Sequence, residues 1–106
     1  MKEETHLIYV KIPEQLTPFE RGEKYEDPLG EILENKALGF VSGGGTMLSA
    51  PDEKGQREIE FCGVDVEVYE LENGIKFLKE ELKRLNVPKG TILEFEANGQ
   101  QKTVEI

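Results

Sequence analysis

The chain has 106 residues, 33% of them charged and 37% hydrophobic, with a formal net charge of 13 − 22 = −9 and a single cysteine. That length suits one domain, residues 1–106, with a single two-layer core. The charge argues against a nucleic-acid partner, whose phosphates call for clustered Lys and Arg, and Cys62 alone cannot form an internal disulfide.

No apolar run approaches the ~18 residues of a membrane span. The opening MKEETH lacks the basic-then-apolar order of a signal peptide, so a cytoplasmic, soluble protein is expected. Residues His6 to Ile12 alternate as a strand ending at Pro13, with Ile8, Val10 and Ile12 on one face and Leu7, Tyr9 and Lys11 on the other. The next stretch, PEQLTPFERGEKYED, carries two prolines and a glycine and is read as a long loop over residues 13–27. Asp27-Pro28 then opens a helix, with aspartate as N-cap and proline at the first position. Leu29, Ile32 and Leu33 give it one buried face, and Gly39 is expected to cap its end.

Residues 39–48 form a strand interrupted by Gly43, Gly44 and Gly45. Three glycines weaken regular pairing, so a bulge, a positive φ or a close backbone approach is expected there. A turn over Ser49 to Gln56 leads to the longest strand pattern, Arg57 to Tyr69. Its apolar positions change parity at Cys62-Gly63. Either a bulge at Gly63 resets the register, or the two ends of the strand bury different faces. Cys62 is expected to be a small buried side chain rather than a reactive thiol.

Leu71, Ile75, Leu78, Leu82 and Leu85 form a helical stripe over residues 71–86, capped by Glu70 or Asn73. Glu72–Lys76 and Glu80–Arg84 are candidate i, i+4 pairs. The C-terminal hairpin turns at Asn98-Gly99, the pattern of a type I′ turn. It should set Leu93 against Val104, Phe95 against Lys102, Glu94 against Thr103 and Glu96 against Gln101. The order β-α-β-β-α-β plus one strand suggests an α+β, ferredoxin-like two-layer sandwich. Its antiparallel sheet would carry an extra C-terminal strand and both helices on one face, with the first and third strands central.

No catalytic constellation or metal-ligand spacing stands out, so no cofactor is expected and an enzyme is not the favoured reading. The run Ser42, Gly43, Gly44, Gly45, Thr46 could bind an anion or a partner through exposed backbone N–H groups. However, it lacks the lysine and following helix of a phosphate loop. Asp65 and Glu67 alternate along one strand as a solvated face or a partner contact, and Tyr9 is a candidate for the same face. Ser42, His6 and Asp65 make a catalytic triad only on paper, without a nucleophile-elbow sequence.

The segments EDPLGEIL, ALGFVSGGGTML, VDVEV and LNVPKGTILEF, within residues 26–95, resemble small bacterial proteins of ferredoxin-like build and no settled activity. The resemblance implies a fold and assigns no catalytic residue. The leading expectation is a non-enzymatic binding protein of immunity-like kind, whose acidic surface meets a basic protein. A small-molecule or anion sensor at the glycine strand is the alternative, with an enzyme of unrecognised type behind it. A homodimer through the sheet is also expected, because Leu7 and Tyr9 have no evident cover.

Overall fold

Seven strand residues, His6–Ile12, form the centre of a five-stranded antiparallel sheet (β1). The other strands are β2 (Gly39–Leu48), β3 (Ile59–Val68), β4 (Ile92–Ala97) and β5 (Gln100–Glu105), in the spatial order β2-β3-β1-β4-β5. The computed structural model describes residues 4–106, so the reading of MKEETH falls partly outside them, on residues 1–3. The architecture is α+β. The sheet is joined by two main helices, α2 (Asp27–Asn35) and α3 (Leu71–Arg84), and a single helical turn, α1 (Pro18–Arg21). Among the described residues no helix is long and apolar enough to cross a membrane.

Strand alternation puts Ile8, Val10 and Ile12 opposite Val66, Val64 and Cys62, and all six are fully buried. Leu29 and Leu33 of α2 and Leu78 and Leu82 of α3 join them in one core, so both helices cover the same sheet face. Gly74 lets α3 approach closely, since a Cβ there would lie 2.7 Å from both Val68 methyl groups. Cys62 is a buried member of this core, and burial pushes its thiol above the ordinary value.

Of the expected loop only residues 13–17 are irregular; residues 18–27 are helical. Thr17 caps α1 with a capping box, its hydroxyl accepting from the Glu20 N–H (3.3 Å) while the Glu20 carboxylate accepts from the Thr17 N–H (3.1 Å). Pro18, at the first helical position, needs no hydrogen-bonded N–H. The helical path continues through a π-turn, Gly22–Glu26, into α2, and the Asp27 N–H donates to the Gly22 carbonyl. Asp27 is therefore inside a helical run (φ −65°, ψ −51°) and is not the N-cap. The widened turn sits directly before Pro28, whose ring and missing N–H do not fit a regular helix interior.

The helix ends earlier than Gly39. Ala37 takes the left-handed conformation (φ 53°) and the Leu38 N–H donates to the Leu33 carbonyl, so Gly39 is the first residue of β2. At α3, Glu70 is the N-cap and accepts from the Asn73 N–H at 2.6 Å. Arg84 pairs with Glu81, one turn below it, in place of the expected Glu80. The final hairpin has the expected register throughout. Its two turn residues have φ 54° and 76°, as a type I′ turn requires.

The parity change in β3 belongs to the second alternative. Cys62, Val64, Val66 and Val68 face the helices without interruption, while Phe61 lies on the other face under the Lys11 ammonium. Gly63 is not a bulge. It makes room for Tyr9, because a Cβ there would fall 2.0 Å from the phenol oxygen. The irregularities lie in the β2–β3 ladder, between Val41 and Gly43 and between Met47 and Leu48. The first leaves Ser42 as the extra residue of a bulge, and the second skips Glu60.

Candidate functional site

The sheet face away from the helices collects most of the candidate residues. Reading across the sheet at one level, the pairings run Gly43, Asp65, Tyr9, Glu94, Thr103. One level along they run Phe40, Glu67, Leu7, and in the other direction Gly45, Gly63, Lys11, Ile92. Tyr9, Asp65 and Glu67 therefore share one open surface with Gly43 and Gly45. Glu94, which the sequence places only opposite Thr103, joins them because β4 pairs with β1.

Tyr9 is the middle of this surface, its ring passing over Gly63 between two carboxylate-bearing strands. Burial, then the adjoining Asp65 and Glu94 carboxylates, hold its phenol above the ordinary value. It stays protonated at neutral pH and offers an O–H donor, not a base. Thr5 donates to Glu67 at 2.8 Å. Among the described residues the ion pairs are Arg21–Glu26, Lys24–Glu14 and Arg84–Glu81, so Asp65, Glu67 and Glu94 carry no basic partner. Lys11, the nearest cation by strand position, lies over the Phe61 ring at 4.4 Å. Leu7 is 54% exposed beside these groups.

Gly44 and Thr46 belong to the opposite face, because their partners Val64 and Cys62 point to the core. There they meet Arg21, which sequence reasoning passed over with the supposed loop. Its Nε donates to Glu26 at 2.5 Å and its Nη1 donates to the Thr46 hydroxyl at 2.9 Å. The residue is 9% exposed. The Arg21–Glu26 pair thus fills the space above Gly44, and the cation nearest the glycine run is already neutralised. No glycine of the run has a positive φ. The close-approach expectation holds at Gly44, and the bulge sits one residue before the run, at Ser42.

A second polar cluster pins residue 14 to the helical segment. The Tyr25 hydroxyl donates to Glu14, and Lys24 donates to the other carboxylate oxygen at 2.7 Å. Tyr25 is fully buried, and burial followed by the Glu14 hydrogen bond drives its phenol far above 10.0. A raised folded-state value means stability that is complete below the unfolded phenol's value and is lost as pH rises above it. Denaturant midpoints should therefore fall as pH rises past about 10, and Tyr25→Phe should flatten that fall. A Tyr25→Phe protein with the same alkaline slope as wild type would reject this assignment.

The paper triad does not assemble. Ser42 Oγ donates to the Asp65 backbone carbonyl at 3.4 Å, and His6, exposed, pairs with Val68 at the far end of β3. Among the described residues no group of three or more His, Cys, Asp and Glu is placed to hold a metal ion. No family model matches the chain, and no curated protein or solved structure is measurably similar to it.

Proposed function

We propose that this chain is a non-enzymatic binding protein that docks a basic protein partner on its uncovered sheet face. The observation that carries the reading is the row Asp65, Tyr9, Glu94, flanked by Glu67 and Leu7: carboxylates with no basic partner among the described residues, around an aromatic and an exposed apolar side chain. Such a mixture suits an interface with an apolar centre and steering charges at its rim. The small size and the charge of −9 support the immunity-like form, in which the basic partner is a toxin. The strands in the order β2-β3-β1-β4, with helical segments after β1 and β3, support a ferredoxin-like frame to which β5 is added. The frame bears on function only by leaving one face bare.

The anion-sensor reading is weaker, because Arg21 is committed to Glu26 and Thr46. A basic partner should co-purify with the wild-type protein and be lost with Asp65→Asn/Glu67→Gln. Its affinity should drop at least about tenfold, about 1.4 kcal/mol. A partner held equally by the variant and at all salt concentrations sinks the proposal.

A further inference from the structure

We propose that the free edge of β2 pairs antiparallel with β2 of a second copy of this chain, about a two-fold axis through Gly44. The inference stands apart from the acidic-face reading and survives its failure. The sheet has two edges, β2 and β5. β5, QQKTVE, carries Lys102 and Glu105, the usual protection of an edge. β2, GFVSGGGTML, spans ten residues with no charge and no proline, in a chain where a third of residues are charged. An unprotected edge of that length is a template for another strand.

The glycines strengthen the argument where the fold does not need them. A Cβ on Gly45 would meet nothing within 4 Å, and its φ is not positive. Glycine there costs strand propensity without relieving any contact inside the molecule. It does leave a bare backbone at the middle of the edge.

The second copy is singled out by the order of residues in the strand. Antiparallel pairing about Gly44 sets Gly43 against Gly45 on the open face of the sheet. Ser42 is the extra residue of the bulge, so beyond the glycines Val41 comes beside Thr46 on the helix face and Phe40 beside Met47 on the open face. Glycine meets glycine and the large apolar side chain of Phe40 meets that of Met47, so the strand complements itself as an isologous interface must. The bulge adds twist, so the flat pairing is the central stretch 43–45, with the outer apolar side chains gathered around it. Met47 and Leu48, 48% and 45% exposed, are then covered. Two molecules of charge −9 repel over most approaches, whereas this edge is uncharged and the Arg21–Glu26 pair behind it is neutral.

The test is the mass in solution by sedimentation equilibrium at up to about 100 μM, for wild type, Gly45→Lys, Gly45→Glu and Leu7→Glu. Wild type and Leu7→Glu should be dimers, while each Gly45 variant alone should weaken association at least about tenfold. Circular dichroism should show both Gly45 variants folded, since the site is open. Mixing Gly45→Lys with Gly45→Glu should restore a dimer, because the two positions lie diagonally across the axis. A monomeric wild type overturns the proposal, as does a dimer undisturbed by Gly45→Lys. Loss of the dimer in Leu7→Glu moves the contact to the open face and also overturns it. A charge-paired mixture that stays monomeric overturns the register about Gly44.

Discussion

Gly39→Ala is expected to destabilise the protein by about 3 kcal/mol or more. A Cβ at residue 39 would lie 2.0 Å from the Glu67 carbonyl oxygen and 2.9 Å from the Val68 Cα. Both are backbone atoms of β3, held by pairing on two sides, so neither can give way as a side-chain tip could. Relief requires prying β2 from β3 where the Tyr69 N–H donates to the Leu38 carbonyl at 3.0 Å. The measurement is the denaturant midpoint with its slope held against wild type. Gly22→Ala is the control, since its Cβ would meet nothing and its backbone is helical (φ −58°, ψ −51°). That control should be neutral or gain up to about 1 kcal/mol. A Gly39→Ala loss below about 1 kcal/mol would show that the two strands do not approach so closely.

The second large effect is expected at Gly44→Ala, about 2 kcal/mol of lost stability. The added Cβ would meet Glu26 Oε1 at 2.3 Å, the Gly63 carbonyl oxygen at 2.9 Å and Arg21 Nε at 3.1 Å. The backbone oxygen cannot move without disturbing the β2–β3 ladder. The Arg21–Glu26 pair can move only by exposing or unpairing charges that are now largely buried, at 11% and 23% side-chain exposure. The neighbouring Gly45→Ala has free space and should leave stability unchanged or slightly raised. Equal losses at the two positions would mean that the cost is strand propensity alone, and the packing account of Gly44 would fail.

The elements with a clear period were legible. β1, β3 and α3 follow periods of two and 3.6, and the Asn98-Gly99 turn carried the whole β4–β5 register with it. The face shared by Tyr9, Asp65 and Glu67 was half visible. Period two grouped the two acids, but only the β1–β3 pairing brings Tyr9 between Asp65 and Glu94. The helical turn at Pro18 had a signal that was passed over. Thr17-Pro18-Phe19-Glu20 is a capping box with proline where a helix tolerates it, so this proline starts a helix instead of breaking one. The π-turn has no comparable local mark. The bulge was misplaced for a simple reason: a glycine has no side chain to declare its face, so the parity change at Ser42 is silent in β2. Arg21 was invisible as a partner of Gly44 because that contact joins residues far apart in sequence, through a helical path not expected to exist.

The central position of β1 bears on how the chain is made. Its neighbours are both encoded downstream: Ile8 pairs with Val66 on one side and with Phe95 on the other, 87 residues later (95 − 8). At a synthesis rate of about 5–20 residues per second, roughly 4–17 s separate the emergence of Ile8 and Phe95. For about the first 3–12 s of it, until β3 is complete at Val68, the apolar strand containing Ile8, Val10 and Ile12 has neither neighbour. β3 can pair with it from then on, while its other side stays open until β4 has emerged. A nascent chain of this protein should therefore lean on ribosome-associated chaperones for longer than one whose N-terminal strand lies at an edge.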